Sequence, residues 1–284
     1  MPNTLLSFGH GYTARALSRR LISKDWAIFG TTRKQEKLSD LDSEGIIPLL
    51  WPGQGLDRAF ERATHLLVSA GPGAEGDPML REFKREMAAL APKLKWAGYL
   101  STTGVYGDHL GGWVDEDTPL TPSTERGVAR MKAETEWRSV AGLPLHIFRL
   151  AGIYGPGRGP FEKVRKGTAR RIVKPGQVFS RIHVEDIASV LEASIANPDP
   201  GAIYNVCDDD PAPPQDVIAY AAELLELPPP PEVDFDSARM SAMARSFYAE
   251  SKRVDNTRIK NDLGVKLAYP NYRVGLRSLL ACTG

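Results

Sequence analysis

Cysteine is scarce in this sequence of 284 residues, which contains only Cys207 and Cys282. Neither belongs to a Cys-x-x-Cys pair, the usual spacing of zinc ligands and redox dithiols. This disfavours a disulfide scaffold or a zinc site and fits a reducing compartment. An excess of charge is also missing, because 36 Lys and Arg residues face 35 Asp and Glu residues. The net charge of +1 gives no reason to expect a nucleic acid or a membrane surface as the main partner.

Long hydrophobic runs are absent as well. No apolar stretch approaches the ~20 residues that a membrane-spanning helix needs. The first residues, MPNTLLSFGHG, have neither the basic segment nor the apolar core of a signal peptide. Hydrophobic residues make up 42% and charged residues 25%, which is ordinary globular composition. We therefore expect a soluble cytoplasmic protein with one large domain, or one domain and a smaller lobe.

Short apolar runs alternate with segments of helical periodicity. Strands that are apolar on both faces, separated by helices, are typical of a parallel sheet covered on both sides. The fold class is therefore α/β, a Rossmann-type doubly wound parallel sheet, with later segments that complete the sheet and build a small C-terminal cap. The runs that carry this interpretation are TLLSF (4–8), WAIFGTT (26–32), HLLVSA (65–70), GYLSTT (98–103) and LHIFRL (145–150).

Two regions follow from this order of elements. Residues 1–150 are expected to form the dinucleotide-binding Rossmann domain. Residues 151–284 are expected to be a mixed segment that completes the sheet and forms the small substrate lobe. The stretch LPPPPE (227–232) cannot be helix interior, so we interpret it as a loop that leads into the C-terminal lobe.

The stretch GHGYTA follows the first predicted strand and opens the first predicted helix. It places Gly9, Gly11 and Ala14 in the pattern G-x-G-x-x-G/A of dinucleotide-binding proteins. Gly9 permits the tight turn, Gly11 lets a pyrophosphate approach the backbone, and Ala14 lets helix and strand pack closely. The helix begins beside Tyr12, and its free N–H groups and partial positive charge suit phosphate. The alternative is a glycine-rich turn without a ligand.

The stretch after the second strand, GTTRK, contains no carboxylate for the adenosine ribose of NAD. Arg33 stands there instead, and a guanidinium suits the 2′-phosphate of NADP. We therefore favour NADP, with NAD possible; the alternative is that Arg33 is a solvated surface residue. Ala70 and Gly71, in SAGP (69–72), are small enough for the cofactor to pass close to the backbone, although an ordinary strand-end turn would look the same.

Six features in one order carry a family resemblance. The set resembles the extended short-chain dehydrogenase/reductase family of NAD(P)-dependent epimerases and dehydratases, especially its atypical bacterial subgroup related to nucleoside-diphosphate-sugar epimerases. The C-terminal run SKRVDNTRIKNDLGVKLAYPNYRVGLRSLL (251–280) also resembles this family. The resemblance implies a Rossmann-type cofactor domain and a small substrate lobe. The six features are GHGYTA (9–14), SAGP (69–72), STTGVYG (101–107), RLAGIYGPGR (149–158), RIHVED (181–186) and IYNVCDD (203–209).

The resemblance also places candidate catalytic residues. Thr102 lies four residues before Tyr106, where the family keeps the Ser or Thr that hydrogen-bonds the substrate oxygen. Arg126 and Arg130 fall on the tyrosine and lysine of the family's Tyr-x-x-x-Lys helix, and Glu134 falls on the acid that often follows. The chain therefore departs from the family at both residues of the pair.

Arginine can replace the lysine of that pair as a hydrogen-bond donor, but it cannot replace the tyrosine as a proton donor. Its pKa lies above ~12, so Arg126 is no proton donor at neutral pH. Arg130 can still donate hydrogen bonds to a cofactor ribose. The two residues are four apart on one helix face, and with Thr102 they would form a donor cluster for a carboxylate or phosphate. The alternative is a solvated helix face with local ion pairs.

Other acids and bases that could replace the missing tyrosine are each more typical of a structural or solvated residue. They are His109, His183, Asp108, Asp115, Glu116 and Asp117. Arg158 is either a contact for a substrate phosphate or a loop charge.

Two hypotheses of function remain. One is an oxidoreductase or epimerase acting on a sugar-like or nucleotide-sugar substrate, and the resemblance also allows a homodimer, which is common in that family. The other is a non-catalytic dinucleotide sensor or partner-binding module.

Overall fold

The computed structural model describes residues 3–281, apart from the side chain of Met243. Cys282 lies outside these residues, and Cys207 is a buried free thiol. The strands, in chain order, are β1 (Thr4–Phe8), β2 (Ala27–Thr32), β3 (Ile47–Leu50), β4 (His65–Val68), β5 (Trp96–Thr102), β6 (Trp113–Val114), β7 (Leu145–Leu150), β8 (Gly152–Tyr154), β9 (Arg171–Val173), β10 (Arg181–His183), β11 (Ile203–Val206), β12 (Glu232–Asp234) and β13 (Arg253–Val254).

Within residues 3–281, seven strands form one parallel sheet in the order β11-β7-β5-β4-β1-β2-β3. Chain order reverses beside β1, so the sheet is doubly wound, and the predicted α/β Rossmann-type fold class is confirmed. Each of the five apolar runs overlaps one of these strands. The two further strands, β3 and β11, are the edges of the sheet. Pro48 of β3, opposite Gly30, is tolerated at an edge position.

Helices cover both faces of the sheet. α1, α2, α7 and α10 supply buried residues to one face, and α3, α4 and α5 to the other. Short 3₁₀ turns lie at Gln35–Lys37, Ala91–Lys93 and Thr103–Tyr106. The helices are α1 (Tyr12–Ile22), α2 (Leu38–Ser43), α3 (Leu56–Arg62), α4 (Pro78–Leu90), α5 (Glu125–Arg138), α6 (Phe161–Arg165), α7 (Val184–Ala196), α8 (Pro214–Leu224), α9 (Ala242–Phe247), α10 (Thr257–Asn261) and α11 (Tyr272–Ala281).

A smaller apolar cluster lies beyond the carboxyl end of the sheet. It joins α6, α8 and α11 through Phe161, Tyr220 and Leu276. Three two-stranded parallel pairs accompany it: β8 with β10, β9 with β12, and β6 with β13. This cluster and the sheet flank the loops in which the candidate site residues lie.

One buried carboxyl at this end of the sheet is unusual. Asp208 follows β11, is 1% exposed, and its Oδ2 atom has no hydrogen-bond partner. Burial disfavours the ionised form and raises the pKa of Asp208 to about 8, although the Asp210 N–H and the charge of Arg181 act in the opposite direction. Asp208 is therefore held as the neutral acid at neutral pH.

Asp208→Asn is expected to stabilise the protein in alkali. The folded-state pKa of about 8 lies above the ordinary value of 3.8, so wild-type stability is lost as the pH rises through about 8. Asparagine cannot ionise. The variant should therefore melt higher than wild type at pH 9 and close to it at pH 4, with the exposed Asp236→Asn as control. A variant that melts lower than wild type at pH 9 would show that the ionised carboxylate is stabilising.

Candidate functional site

The glycine turn, residues 9–14, joins β1 to α1. Gly9 has φ 83°, and a Cβ there would lie 2.6 Å from the backbone N of Ala70, so only glycine fits. A Cβ on Gly11 would meet nothing closer than 3.8 Å, and Gly11 is exposed. α1 begins at Tyr12 without a side-chain cap, so its first N–H groups remain open for an anion. Ala14 is fully buried against the sheet.

The ends of β2 and β4 border this turn. Gly9 N–H donates to Thr31 Oγ1 at 2.8 Å, and Ala70 N–H donates to Phe8 O at 3.1 Å. Arg33 lies just after β2, is exposed, and forms no hydrogen bond or ion pair within residues 3–281. No carboxylate stands between Thr31 and Lys34. The guanidinium of Arg33 is thus free for a ligand at the edge of the turn.

Arg130 points from α5 towards the sheet. Its Nη1 donates to Leu100 O at 2.5 Å and to Tyr99 OH at 3.2 Å, and the side chain is half-buried. A Cβ on Gly71 would lie 3.2 Å from Nη2 of Arg130, so the absence of a side chain at residue 71 leaves room for the guanidinium. Both acceptors belong to β5, and the other N–H groups of the guanidinium form no hydrogen bond within residues 3–281.

Arg126 lies one turn earlier on α5. Its side chain is exposed and forms no hydrogen bond or ion pair among the described residues. Partial desolvation by surrounding protein atoms lowers its pKa, and the positive charges of Arg130 and Arg158 lower it further. The helix is fixed at this end by Thr124, whose hydroxyl accepts from Gly127 N–H.

Thr102 is the last residue of β5. It is half-buried, and its Oγ1 accepts from Gly104 N–H at 3.2 Å, which leaves the hydroxyl hydrogen free to donate. The neighbouring Ser101 is buried and donates to Glu134 Oε1 at 2.5 Å. The structure therefore distinguishes Thr102 from Ser101, which the sequence could not do, because the hydroxyl of Ser101 is buried and hydrogen-bonded to Glu134.

A buried polar network lies beneath α5. Arg149 forms a bidentate ion pair with Glu134, Nε to Oε1 at 3.2 Å and Nη2 to Oε2 at 2.9 Å, and both side chains are 3% exposed. Burial opposes the charge on Arg149, but hydrogen bonds and charge from Glu134 outweigh it, so its pKa is raised. Arg149 also donates to Tyr106 OH at 2.9 Å, and that hydroxyl donates to Asn205 Oδ1 at 2.7 Å. The network fixes α5 against β5, β7 and β11.

The candidate proton donors His109, His183 and Asp108 take part in structural contacts. His109 Nε2 lies 3.1 Å from Tyr106 O. His183 caps α7 by accepting from Glu185 N–H at 3.3 Å, and burial lowers its pKa to about 4. Asp108 accepts from Ser251 N–H at 2.8 Å. Tyr106 is buried with a pKa raised to about 12 by burial, so it is no substitute for the missing tyrosine.

The remaining acidic candidates also lie in loop contacts. Asp115 accepts from Thr118 Oγ1 at 2.7 Å. Glu116 accepts from Asn205 N–H at 2.7 Å and is buried. Asp117 pairs with Arg258 at 3.3 Å. Asp115 thus stabilises the loop after β6 internally, while Glu116 attaches it to β11 and Asp117 attaches it to α10.

The structure adds one residue that sequence reasoning missed. Lys252 is buried, and its Nζ donates to Gly107 O at 2.6 Å and to Glu250 Oε2 at 2.7 Å. It thereby ties the C-terminal segment to the loop that follows β5. Nothing in the stretch ESKR marks this lysine as buried, because Gly107, one of its two acceptors, lies 145 positions away in the chain.

The loop after β8 closes the other side of the glycine turn. Tyr12 OH donates to Pro156 O at 3.0 Å, and the guanidinium carbon of Arg158 lies 5.7 Å from the Tyr12 ring centroid. Arg158 is exposed and has no ion pair within the described residues. The start of α1, the first turns of α5 and this loop therefore border a common region, the groove, at the carboxyl edge of the sheet, the usual ligand position in this type of fold.

Metal and membrane sites are not evident in the described chain. Within residues 3–281, no three His, Cys, Asp or Glu side chains are grouped so that they could hold a metal ion. Every helix in that range is too short or too polar to cross a lipid bilayer.

Comparison with known proteins identifies relatives over the whole length. No protein-family model matches the chain. Protein YeeZ of Escherichia coli (strain K12) is 29% identical over 277 residues, which cover 93% of this chain and 95% of YeeZ. The solved structure of a functionally unknown conserved protein from Silicibacter pomeroyi DSS is 63% identical, with a TM-score of 0.95 and 99% of each chain covered.

Two nucleotide-bound structures share the fold at lower identity. dTDP-glucose 4,6-dehydratase from Bacillus anthracis str. Ames, in complex with NAD, is 16% identical, with a TM-score of 0.77, and the match covers 99% of this chain and 96% of that one. The human epimerase family protein SDR39U1 with NADPH is 17% identical, with a TM-score of 0.72 and 98% and 99% covered.

The class follows from these findings. The chain has the same Rossmann-type fold as these two nucleotide-bound structures, which is the fold implied by the resemblance drawn from its motifs. Within that class, at 63% identity over nearly its whole length, the chain belongs to the same family as the Silicibacter pomeroyi protein.

Proposed function

We propose that this protein binds a nicotinamide dinucleotide, NADP in preference to NAD, and uses it in an oxidoreductase or epimerase reaction on a sugar-like substrate. The glycine turn carries the proposal. Gly9 fits only as glycine, Gly11 is open, and the start of α1 is uncapped, so the turn offers backbone N–H groups to a pyrophosphate. The nucleotide-bound structures of the same fold add support.

In this proposal, the residues around the turn have different roles in binding and catalysis. Arg130, held by β5, donates to the ribose next to the nicotinamide, in place of the lysine of related enzymes. Thr102 donates its hydroxyl hydrogen to the substrate oxygen. When bound, the cofactor supplies or accepts the hydride. Arg126 stays charged at neutral pH and so transfers no proton; that proton comes from water or a substrate group.

Arg33→Asp tests the preference for NADP. A carboxylate would repel the 2′-phosphate and accept from the ribose hydroxyls of NAD. We expect NADPH to bind more tightly than NADH in wild type, and the variant to lose about tenfold or more in NADPH affinity, in line with ~1.5–3 kcal/mol for a hydrogen bond to a charged group. Titration of intrinsic fluorescence at fixed salt measures both affinities, with the exposed Lys132→Ala as control. An unchanged ratio would remove Arg33 from the site.

The replacement of both catalytic-pair residues by arginine favours a second candidate, a dinucleotide sensor or partner-binding module without catalysis. The two candidates differ in hydride transfer. As an oxidoreductase, the protein should oxidise NADPH with some members of a panel of sugar-like carbonyl compounds. As an epimerase, which returns the hydride to its substrate, it should instead invert a stereocentre of a sugar-like alcohol without net oxidation of the cofactor. The sensor should bind NADPH and leave it unoxidised with every member of the panel.

A further inference from the structure

A cavity of about 380 Å³ lies at the amino edge of the seven-stranded sheet. We call it the amino-edge cavity. The ends of α1 and α7 and the starts of β1, β2, β4 and β5 surround it. Because the seven strands are parallel, this edge is opposite the groove, which lies at the carboxyl edge. The volume is within the roughly 300–1,000 Å³ of pockets that bind small molecules, so the cavity can hold a ligand of its own.

Part of the cavity lining is aromatic and apolar. Trp26 lines it and is half-buried, and the centroid of its ring lies 4.5 Å from that of the His65 ring. Leu21 of α1 and Ile195 of α7 add aliphatic surface. A tryptophan ring that is incompletely covered can stack against an aromatic ligand, and aliphatic neighbours favour an apolar body over a strongly polar one.

The charged lining contains one cation without a counter-charge. Glu192 pairs with Arg20 and with Lys24, each at 2.6 Å, so its charge is balanced. Lys95 forms no ion pair with any residue that the structure describes, and its Nζ donates to the uncharged amide oxygen Oδ1 of Asn3 at 3.3 Å. Two lysines and one glutamate line the cavity, which leaves an excess of one positive charge. That excess suits a singly charged carboxylate better than a doubly charged phosphate.

His65 adds a polar group without adding charge. It is 4% exposed, and its Nδ1 lies 2.8 Å from Thr64 Oγ1. Burial, with a smaller contribution from the positive charge of Lys95, lowers the pKa of His65 to about 4, so the ring is neutral at neutral pH. Its Nε2 forms no hydrogen bond within residues 3–281, which leaves this atom for a ligand.

We propose that the amino-edge cavity is a second small-molecule site and that its ligand is an aromatic carboxylate. The aromatic body stacks on Trp26, and the carboxylate pairs with Lys95. The inference does not depend on the proposed function, because the cavity and the groove lie at opposite edges of the sheet.

The test is a calorimetric titration of the intact protein with 2-naphthoate and, separately, with its uncharged amide, 2-naphthamide. We expect 2-naphthoate to bind and the amide to bind about tenfold more weakly, because the amide cannot form the charged hydrogen bond. Saturating NADPH should leave the affinity for 2-naphthoate unchanged.

Two variants at exposed positions locate the bound ligand. Lys95→Met keeps the aliphatic stem and removes the charge, so it should weaken 2-naphthoate binding about tenfold or more. Ala196→Trp places a large side chain in the cavity and should abolish binding. The matched controls, Lys93→Met and Ala242→Trp, are exposed and outside the cavity lining, so they should bind like wild type. Circular dichroism checks that each variant is folded.

The proposal is overturned if 2-naphthoate does not bind, or if either variant binds it as tightly as its matched control. Equal affinity for the amide would overturn the assignment of a carboxylate. Displacement of 2-naphthoate by NADPH would place the ligand in the groove instead. A protein that binds 2-naphthoate through Lys95 but binds no NADPH would refute the proposed function and leave this site standing.

Discussion

Glu134→Ala is expected to lower the free energy of unfolding by about 3–5 kcal/mol, the cost of leaving one partner of a buried ion pair alone. Arg149 would keep its charge at 3% exposure without its bidentate partner. Ser101 would also lose the acceptor of its hydroxyl. Chemical denaturation followed by circular dichroism measures the difference between wild type and variant.

Two controls separate this cost from a general effect of mutating α5. Lys132→Ala, at an exposed position of the same helix, should change stability by less than about 0.5 kcal/mol. The double variant Glu134→Leu with Arg149→Met removes both charges, so it should cost less than Glu134→Ala alone. A Glu134→Ala protein as stable as the Lys132→Ala protein would mean that the pair is not buried as described.

Arg130→Ala is expected to weaken NADPH binding about thirtyfold, equivalent to ~2 kcal/mol for hydrogen bonds from a charged donor. The guanidinium is anchored on Leu100 O and faces the gap left by Gly71, so it donates without being reorganised. Fluorescence titration with NADPH measures the loss.

The matched control is Arg138→Ala, an exposed arginine in the last turn of the same helix. Arg130→Lys should retain part of the affinity, because an ammonium can donate to ribose hydroxyls. If Arg130→Ala binds NADPH like wild type, Arg130 only braces β5 and the cofactor lies elsewhere.

The parts of the fold that sequence predicted are those with local signals. β1, β4 and β7 are buried along their whole length, so they are visible as apolar runs. The glycine turn is a local pattern as well. β3 was not among the runs, because it is a short edge strand that contains Pro48 and has an exposed first residue.

The environment of the site residues depends more on contacts with residues that are distant in the chain. Arg126 and Arg130 share a helix face by spacing, yet Arg130 is half-buried against β5 and Arg126 is exposed. The spacing of the two arginines in the sequence does not predict this difference in burial. The burial of Lys252 and the approach of Arg158 to Tyr12 arise from residues more than 140 positions apart, which no periodicity reports.

The central claim is that the groove at the glycine turn holds a nicotinamide dinucleotide with a 2′-phosphate. A titration of the purified protein with NADPH and, separately, NADH at fixed salt tests it most directly. We expect saturable binding of both dinucleotides, with NADPH bound more tightly than NADH. Binding of neither would contradict it, and would leave the Rossmann frame as a scaffold for another partner.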